Sequence, residues 1–241
     1  DLATFLFAFS TVMLIRIPPP KETEVGLQSK GTLWQEILFG FRYIHARQSL
    51  RSLTRLFMLA GLFLAIGATL MTPLVLSGTQ NNESALATVQ STGAIGGIVG
   101  GVALSLWGGT KRRVHTVLIG GAGACLLGIL WLGLSNAILF WAIGSFFFAF
   151  FEPFVEGGNL AIWQSKVEAD VQGRVFSARQ LLVQIPYLVG ILMAGYLAEA
   201  STISNVLIVS GISGALVFIV GYLFSHVREA EAFLPDAMES L

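Results

Sequence analysis

Charge is what this sequence lacks first. Only 12% of its 241 residues are Asp, Glu, Lys or Arg, against about 25% in a typical soluble domain. Hydrophobic residues make up 54%, with a mean hydropathy of +0.75. A chain this long can bury a soluble core, but not this much apolar surface. Net charge is zero, so no bulk electrostatic case for a nucleic-acid partner exists. Cysteine is nearly absent. Cys125 stands alone in an apolar run, cannot form an internal disulfide, and reads as a small packed residue. Soluble-enzyme signatures are missing as well: no HExxH, no CxxC, no Walker A loop and no GxSxG in a usable context. His45, His115 and His226 lie far apart in sequence and read as solvated groups near a membrane interface. No catalytic residue, metal or cofactor is expected.

What the sequence has is long apolar runs. Residues 58–78, 85–108, 114–134 and 137–151 contain no Lys, Arg or Glu. About 20 such residues cross the hydrocarbon core as a helix. The runs do not alternate apolar with polar, which argues against a β-barrel. The expected fold class is an all-α integral membrane protein, with six spans near 54–77, 85–107, 114–133, 137–164, 177–198 and 203–225. The fourth contains Pro153, a possible kink.

Four segments organise the chain. Residues 1–17 read as the end of a preceding transmembrane helix in a chain that continues upstream. They lack a basic leading region and a cleavage site, so they are not a signal peptide. Residues 18–52 read as a linker opened by three prolines, PPPKETEVGLQSKG. Within it Trp34, Ile37, Leu38, Phe41 and Ile44 share one helical face. A helix on the membrane surface and a helix packed on the protein are equally open readings. Residues 53–226 form the six-helix bundle, and 227–241 a tail.

The few cations alternate by loop. Arg16, Lys21, Lys30, Arg42, Arg47, Arg51 and Arg55 precede the first full span. Lys111, Arg112 and Arg113 sit between the second and third, Lys166, Arg174 and Arg179 between the fourth and fifth, and Arg228 after the sixth. The intervening loops near 78–84, 133–136 and 199–203 have none. The positive-inside rule puts the linker, the basic triplet and the C-terminus in the cytoplasm.

Within the second span Gly93, Gly97 and Gly101 recur every fourth residue, as do Gly96 and Gly100, and Gly120, Gly121 and Gly123 open the third. Small residues at that spacing let helix backbones approach in lipid. The ridge serves static packing, or a surface on which helices slide. Ionisable residues inside spans are functional candidates by default. The fourth span holds Glu152 and Glu156, with Asn159 completing an i, i+4, i+7 series. Counted from Ala137, Glu152 lies about 22 Å along the helix, in the cytoplasmic third of the core. These groups read as a proton or cationic-substrate site, or as a lock to Arg174 or Arg179. Gln90 and Gln184 are further candidates to face a pathway, near Pro73 and Pro186 that free backbone carbonyls. Hydrogen bonding between helices is the competing reading.

Two stretches carry a family resemblance. LSLWGGTKRRVHTVLIG (104–120), following the glycine-rich span that includes Gly101, resembles the cytoplasmic hairpin motif of the major facilitator superfamily, here with Lys111, Arg112 and Arg113. NLAIWQSKVEADVQGRVFSARQ (159–180) is similar to a loop of its macrolide-efflux type, where an acidic turn precedes Gly-Arg-Val-Phe. Here those are Asp170, then Gly173, Arg174, Val175 and Phe176. The hairpin departs from the motif, because no Asp or Glu lies between Gly93 and Lys111.

The resemblance implies the C-terminal half of a twelve-helix secondary transporter in a bacterial cytoplasmic (inner) membrane. It implies proton-coupled efflux, as an antiporter, of amphipathic small molecules by alternating access. The partners it implies are the lipid bilayer, a small-molecule substrate and the N-terminal six-helix half of the same protein. Other readings are a six-span permease subunit acting as a dimer and a non-transporting membrane module.

Overall fold

The computed structural model describes residues 2–14 and 32–224. The expected linker turn 18–31, the tail 227–241, and Arg16, Lys21, Lys30, His226 and Arg228 lie outside the described residues. Within them the chain is helical, with no strand. The helices are α1 (Leu2–Leu14), α2 (Leu33–Ala46), α3 (Gln48–Gly78), α4 (Glu83–Trp107), α5 (Arg113–Gly133), α6 (Ile138–Lys166), α7 (Gln172–Ala200) and α8 (Ile203–Phe224). Six of these, α3 to α8, are long and apolar enough to cross a membrane.

The expected spans are all present, and two start early. α3 begins at Gln48, one residue after α2 ends, so residues 48–52 belong to the first span rather than to the linker. α7 begins at Gln172, whose amide donates to the carbonyls of Gln164 (3.3 Å) and Val167 (3.0 Å) and closes the turn from α6. Pro153 does not end α6, which runs on to Lys166. α5 contains a π-helical segment, Ala124–Ile129, that no sequence signal announced. Cys125 sits in it, fully buried, and packs towards Gly214 of α8.

α4 packs along α6, α3 along α7, and α5 and α8 complete the bundle. Leu53 and Phe57 of α3, Val89 of α4, Ile129 of α5, Trp141 and Trp163 of α6 and Phe218 of α8 meet in one core. The described cations all sit towards one end of the bundle. The opposite turns, 79–82, 134–137 and 201–202, carry none. This is the one-sidedness expected from the loop pattern.

α2 is packed on the protein. Gly40, Tyr43 and Ile44 are buried, and Glu36 pairs with Arg174 of α7 at 3.3 Å. Trp34 and Leu38, grouped with Ile44 by the periodicity, are instead 76% and 48% exposed. Only the C-terminal part of the expected apolar face is used against the bundle.

The glycine ridge is used in a different register from 93–97–101. A Cβ on Gly96 would strike the Phe146 carbonyl, and one on Gly100 the Phe150 carbonyl. Gly93 faces Ser145, while Gly97 has only loose contact with Ala149 and Gly101 has nothing within 4 Å. Close backbone approach therefore falls on 93, 96 and 100, the face that α6 covers. The expected effect separates the two stripes. Gly96→Ala and Gly100→Ala each force the α4–α6 contact apart at about 1–3 kcal/mol and lower Tm in detergent. Gly101→Ala leaves Tm unchanged or raises it, because alanine is the better helix former by up to ~1 kcal/mol.

Candidate functional site

The site is built on α6, from its midpoint towards the basic end. Glu152 is fourteen residues from Ile138 and fourteen from Lys166, so it stands at the centre of the helix. Glu152 and Glu156 are both exposed, one turn apart on one face. Asn159 does not share their exposure. It is fully buried, and neither atom of its amide has a hydrogen-bond partner. Position 159 lies about 60° from 156 around a helix, enough to turn it into the packed interface. A buried amide without partners costs roughly 1–3 kcal/mol, so Asn159 is unfavourable for folding alone.

One turn further, Trp163 is also fully buried, with its indole N–H unpaired. The guanidinium of Arg179, on α7, lies 5.3 Å from the Trp163 ring and 5.9 Å from the Phe57 ring of α3. The Glu156 carboxylate acts on Arg179 through space. Glu156, Asn159, Trp163 and Arg179 thus form a polar and aromatic cluster where α3, α6 and α7 meet. Sequence reasoning offers Arg179 only as a partner for the glutamates, and it passes over Trp163 and Phe57. The available signal was spacing: 156, 159 and 163 continue one stripe. Arg174, the other partner the sequence offers the glutamates, pairs with Glu36 at 3.3 Å.

Gln90 on α4 and Gln184 on α7 are exposed. They lie on the two least covered spans. Only 22% of the apolar stretch of α4 and 11% of that of α7 is buried, against 61% for α5. The outer residues of α8 differ in kind: Val209, Ile212, Leu216, Ile219, Val220 and Leu223 are all apolar. Away from the span ends, polar exposed groups include Gln90 on α4, Glu152 and Glu156 on α6 and Gln184 on α7. Between α4 and α6 runs a groove of about 540 Å³, lined by Thr88, Thr92, Ile143, Phe146 and Phe147 among others. Both threonine hydroxyls donate within α4, at 2.8 Å, which leaves the groove walls effectively apolar.

A Major Facilitator Superfamily profile matches residues 2–191. The chain belongs to the major facilitator superfamily. No curated protein and no solved structure matched it. The family's members are secondary transporters rather than enzymes, and six apolar helices in this arrangement make the chain an integral membrane protein.

The basic hairpin fits that membership. Gly108 and Gly109 take positive φ (72° and 79°), a left-handed turn that side chains resist. Thr110 is tied into the start of α5, its N–H donating to the Thr116 hydroxyl at 2.9 Å. Its own hydroxyl donates to the Arg112 carbonyl. Lys111 and Arg112 are exposed. Arg113 donates to the Ala161 carbonyl on α6 at 2.9 Å, which docks the hairpin two residues beyond Asn159. Asp170, Gly173 and Arg174 line a cleft of about 840 Å³ with Glu36, Ser177 and Gln180.

Asn159→Leu removes an unpaired amide while keeping its bulk. Such a change stabilises a fold that never used the amide. The expected outcome is a Tm that holds or rises while transport falls. A lower Tm with transport unchanged would return Asn159 to packing.

Proposed function

We propose that this superfamily member exports amphipathic small molecules from a bacterial cell across the cytoplasmic membrane, in exchange for protons, by alternating access. Its basic end faces the cytoplasm, as the positive-inside rule requires. The observation that carries the reading is on α6: two exposed carboxylates at and beyond the middle of a 29-residue apolar helix. Ionised carboxylates at that depth are too costly to leave against lipid tails, so this face lines a water-filled path or meets protein. Glu152 is the candidate proton carrier, and Glu156 holds the second charge beside Arg179. Asn159 is the hydrogen-bonding group held ready for substrate. Gln90 and Gln184 belong to the same path, and the phenylalanine-lined groove between α4 and α6 takes the apolar part of a substrate.

The remaining cover is a six-helix N-terminal half of the same protein. α1, whose described side chains are all exposed, closes that half, and residues 18–47 lead into the bundle described here. The two halves rock about the α6 face. Gly93, Gly96 and Gly100 keep α4 and α6 moving as one body.

The test uses the full-length chain in inverted vesicles. Accumulation of a cationic dye and of a macrolide is followed with the proton gradient present and then collapsed. Gradient-dependent uptake is expected, with Glu152→Gln at least tenfold slower. Uptake that ignores the gradient, or a fully active Glu152→Gln, contradicts the assignment.

A further inference from the structure

A second site lies where α2 meets the start of α3, apart from the α6 carboxylates. A crevice of about 480 Å³ opens there. Arg42, His45, Arg51 and Arg55 stand around it, and Ile44, Met58 and Leu182 give it an apolar lining. Arg42, His45 and Arg55 are exposed, whereas Ile44 is buried, so the basic groups form the rim and the apolar ones the floor.

No carboxylate lines the crevice. The acids close by are engaged elsewhere: Glu36 pairs with Arg174 at 3.3 Å and Glu168 with Arg47 at 4.0 Å. α3 begins beside the rim, and its first turn holds no acidic residue. A helix N-terminus favours negative charge, yet this one carries Arg51. The Arg51 Nη1 donates to the His45 carbonyl at 3.3 Å, while its Nε is buried with no partner. Three guanidinium groups, an imidazole and a helix N-terminus thus converge without an anion among the described residues.

We propose that this crevice binds an anionic phospholipid, with the phosphate headgroup on Arg42, Arg51 and Arg55 and an acyl chain along Ile44, Met58 and Leu182. Guanidinium groups match phosphate oxygens in charge and geometry. The apolar floor selects a lipid over a free phosphate. Position agrees: the crevice is at the end of an apolar span, beside a helix that exposes Leu38 and Trp34, the latter an amphipathic anchor of membrane interfaces. The lipid staples α2 to α3 at the point where the chain passes from linker into membrane.

The test is native mass spectrometry of the full-length chain after exposure to vesicles of phosphatidylglycerol or phosphatidylcholine, with glycerol 3-phosphate as the headgroup alone. Phosphatidylglycerol is expected to stay bound, with phosphatidylcholine at least tenfold less. Arg51→Gln and Arg55→Gln each weaken retention about fivefold, the worth of one cation near an anionic lipid surface. The exposed pair Arg42→Gln and His45→Gln weakens it without touching α3, so a misfolded Arg51 variant does not decide the matter. Lys111→Gln with Arg112→Gln leaves retention unchanged. Equal loss in that hairpin pair overturns the proposal in favour of diffuse surface charge. Glycerol 3-phosphate bound as well as the lipid overturns it in favour of a free anion. No preference for phosphatidylglycerol, the result if other parts of the chain fill the crevice, overturns it outright.

Discussion

Hydrocarbon offers nothing to a charge, and the rest of this structure follows from that constraint. Backbone groups in lipid must be satisfied within the chain, so the apolar runs become helices and nothing else. Side chains obey the same rule at longer range. The cations withdraw to one end of the bundle, and from Val209 to Val220 the outer residues of α8 are apolar. Glu152, exposed at the centre of α6, is the exception, and Glu156 is exposed one turn nearer the basic end. On the proposed reading they divide the bundle's surface into a side that tolerates lipid and a side that does not.

Packing cannot rely on the hydrophobic effect, because lipid tails are as apolar as leucine. Contact area and shape have to serve instead. α4 supplies Gly96 and Gly100, which let its backbone reach the carbonyls of Phe146 and Phe150 on α6. The same approach fixes the wall of the groove beside those phenylalanines. α6 is thereby held from one side by α4 and from the other by α5, and Arg179 of α7 lies over Trp163 near its basic end. Structure and site share one helix, which is how a small movement of α6 would reach both the hairpin at Arg113 and the cluster at Asn159.

The spans were legible because length and hydropathy alone define them, and the cation pattern gave their ends a common side. The beginnings of α3 and α7 were not, since Gln48 and Gln172 lie in polar sequence where helix and loop look alike. The glycine register was ambiguous in principle: 93–97–101 and 93–96–100 both satisfy helical spacing, and only the partner carbonyls of α6 choose between them. Glu152 and Glu156 could be found as charges in an apolar run. The burial of Asn159 could not, because a 60° turn about a helix axis separates exposed from covered. Arg179 was legible only as a partner for the glutamates, because its ring contacts come from two other helices. The π-helical segment around Cys125 left no trace in composition at all.

Cysteine accessibility tests the division of the surface most directly. Cys125 is buried, so it adds little background to single cysteines placed in this half. Full-length protein carrying Glu152→Cys or Leu216→Cys would be treated, in intact membranes, with a charged thiol reagent that does not enter lipid. A water-lined α6 predicts rapid labelling at 152 and none at 216. Silence at 152, or labelling at both, would mean that the carboxylates do not mark a path through the membrane.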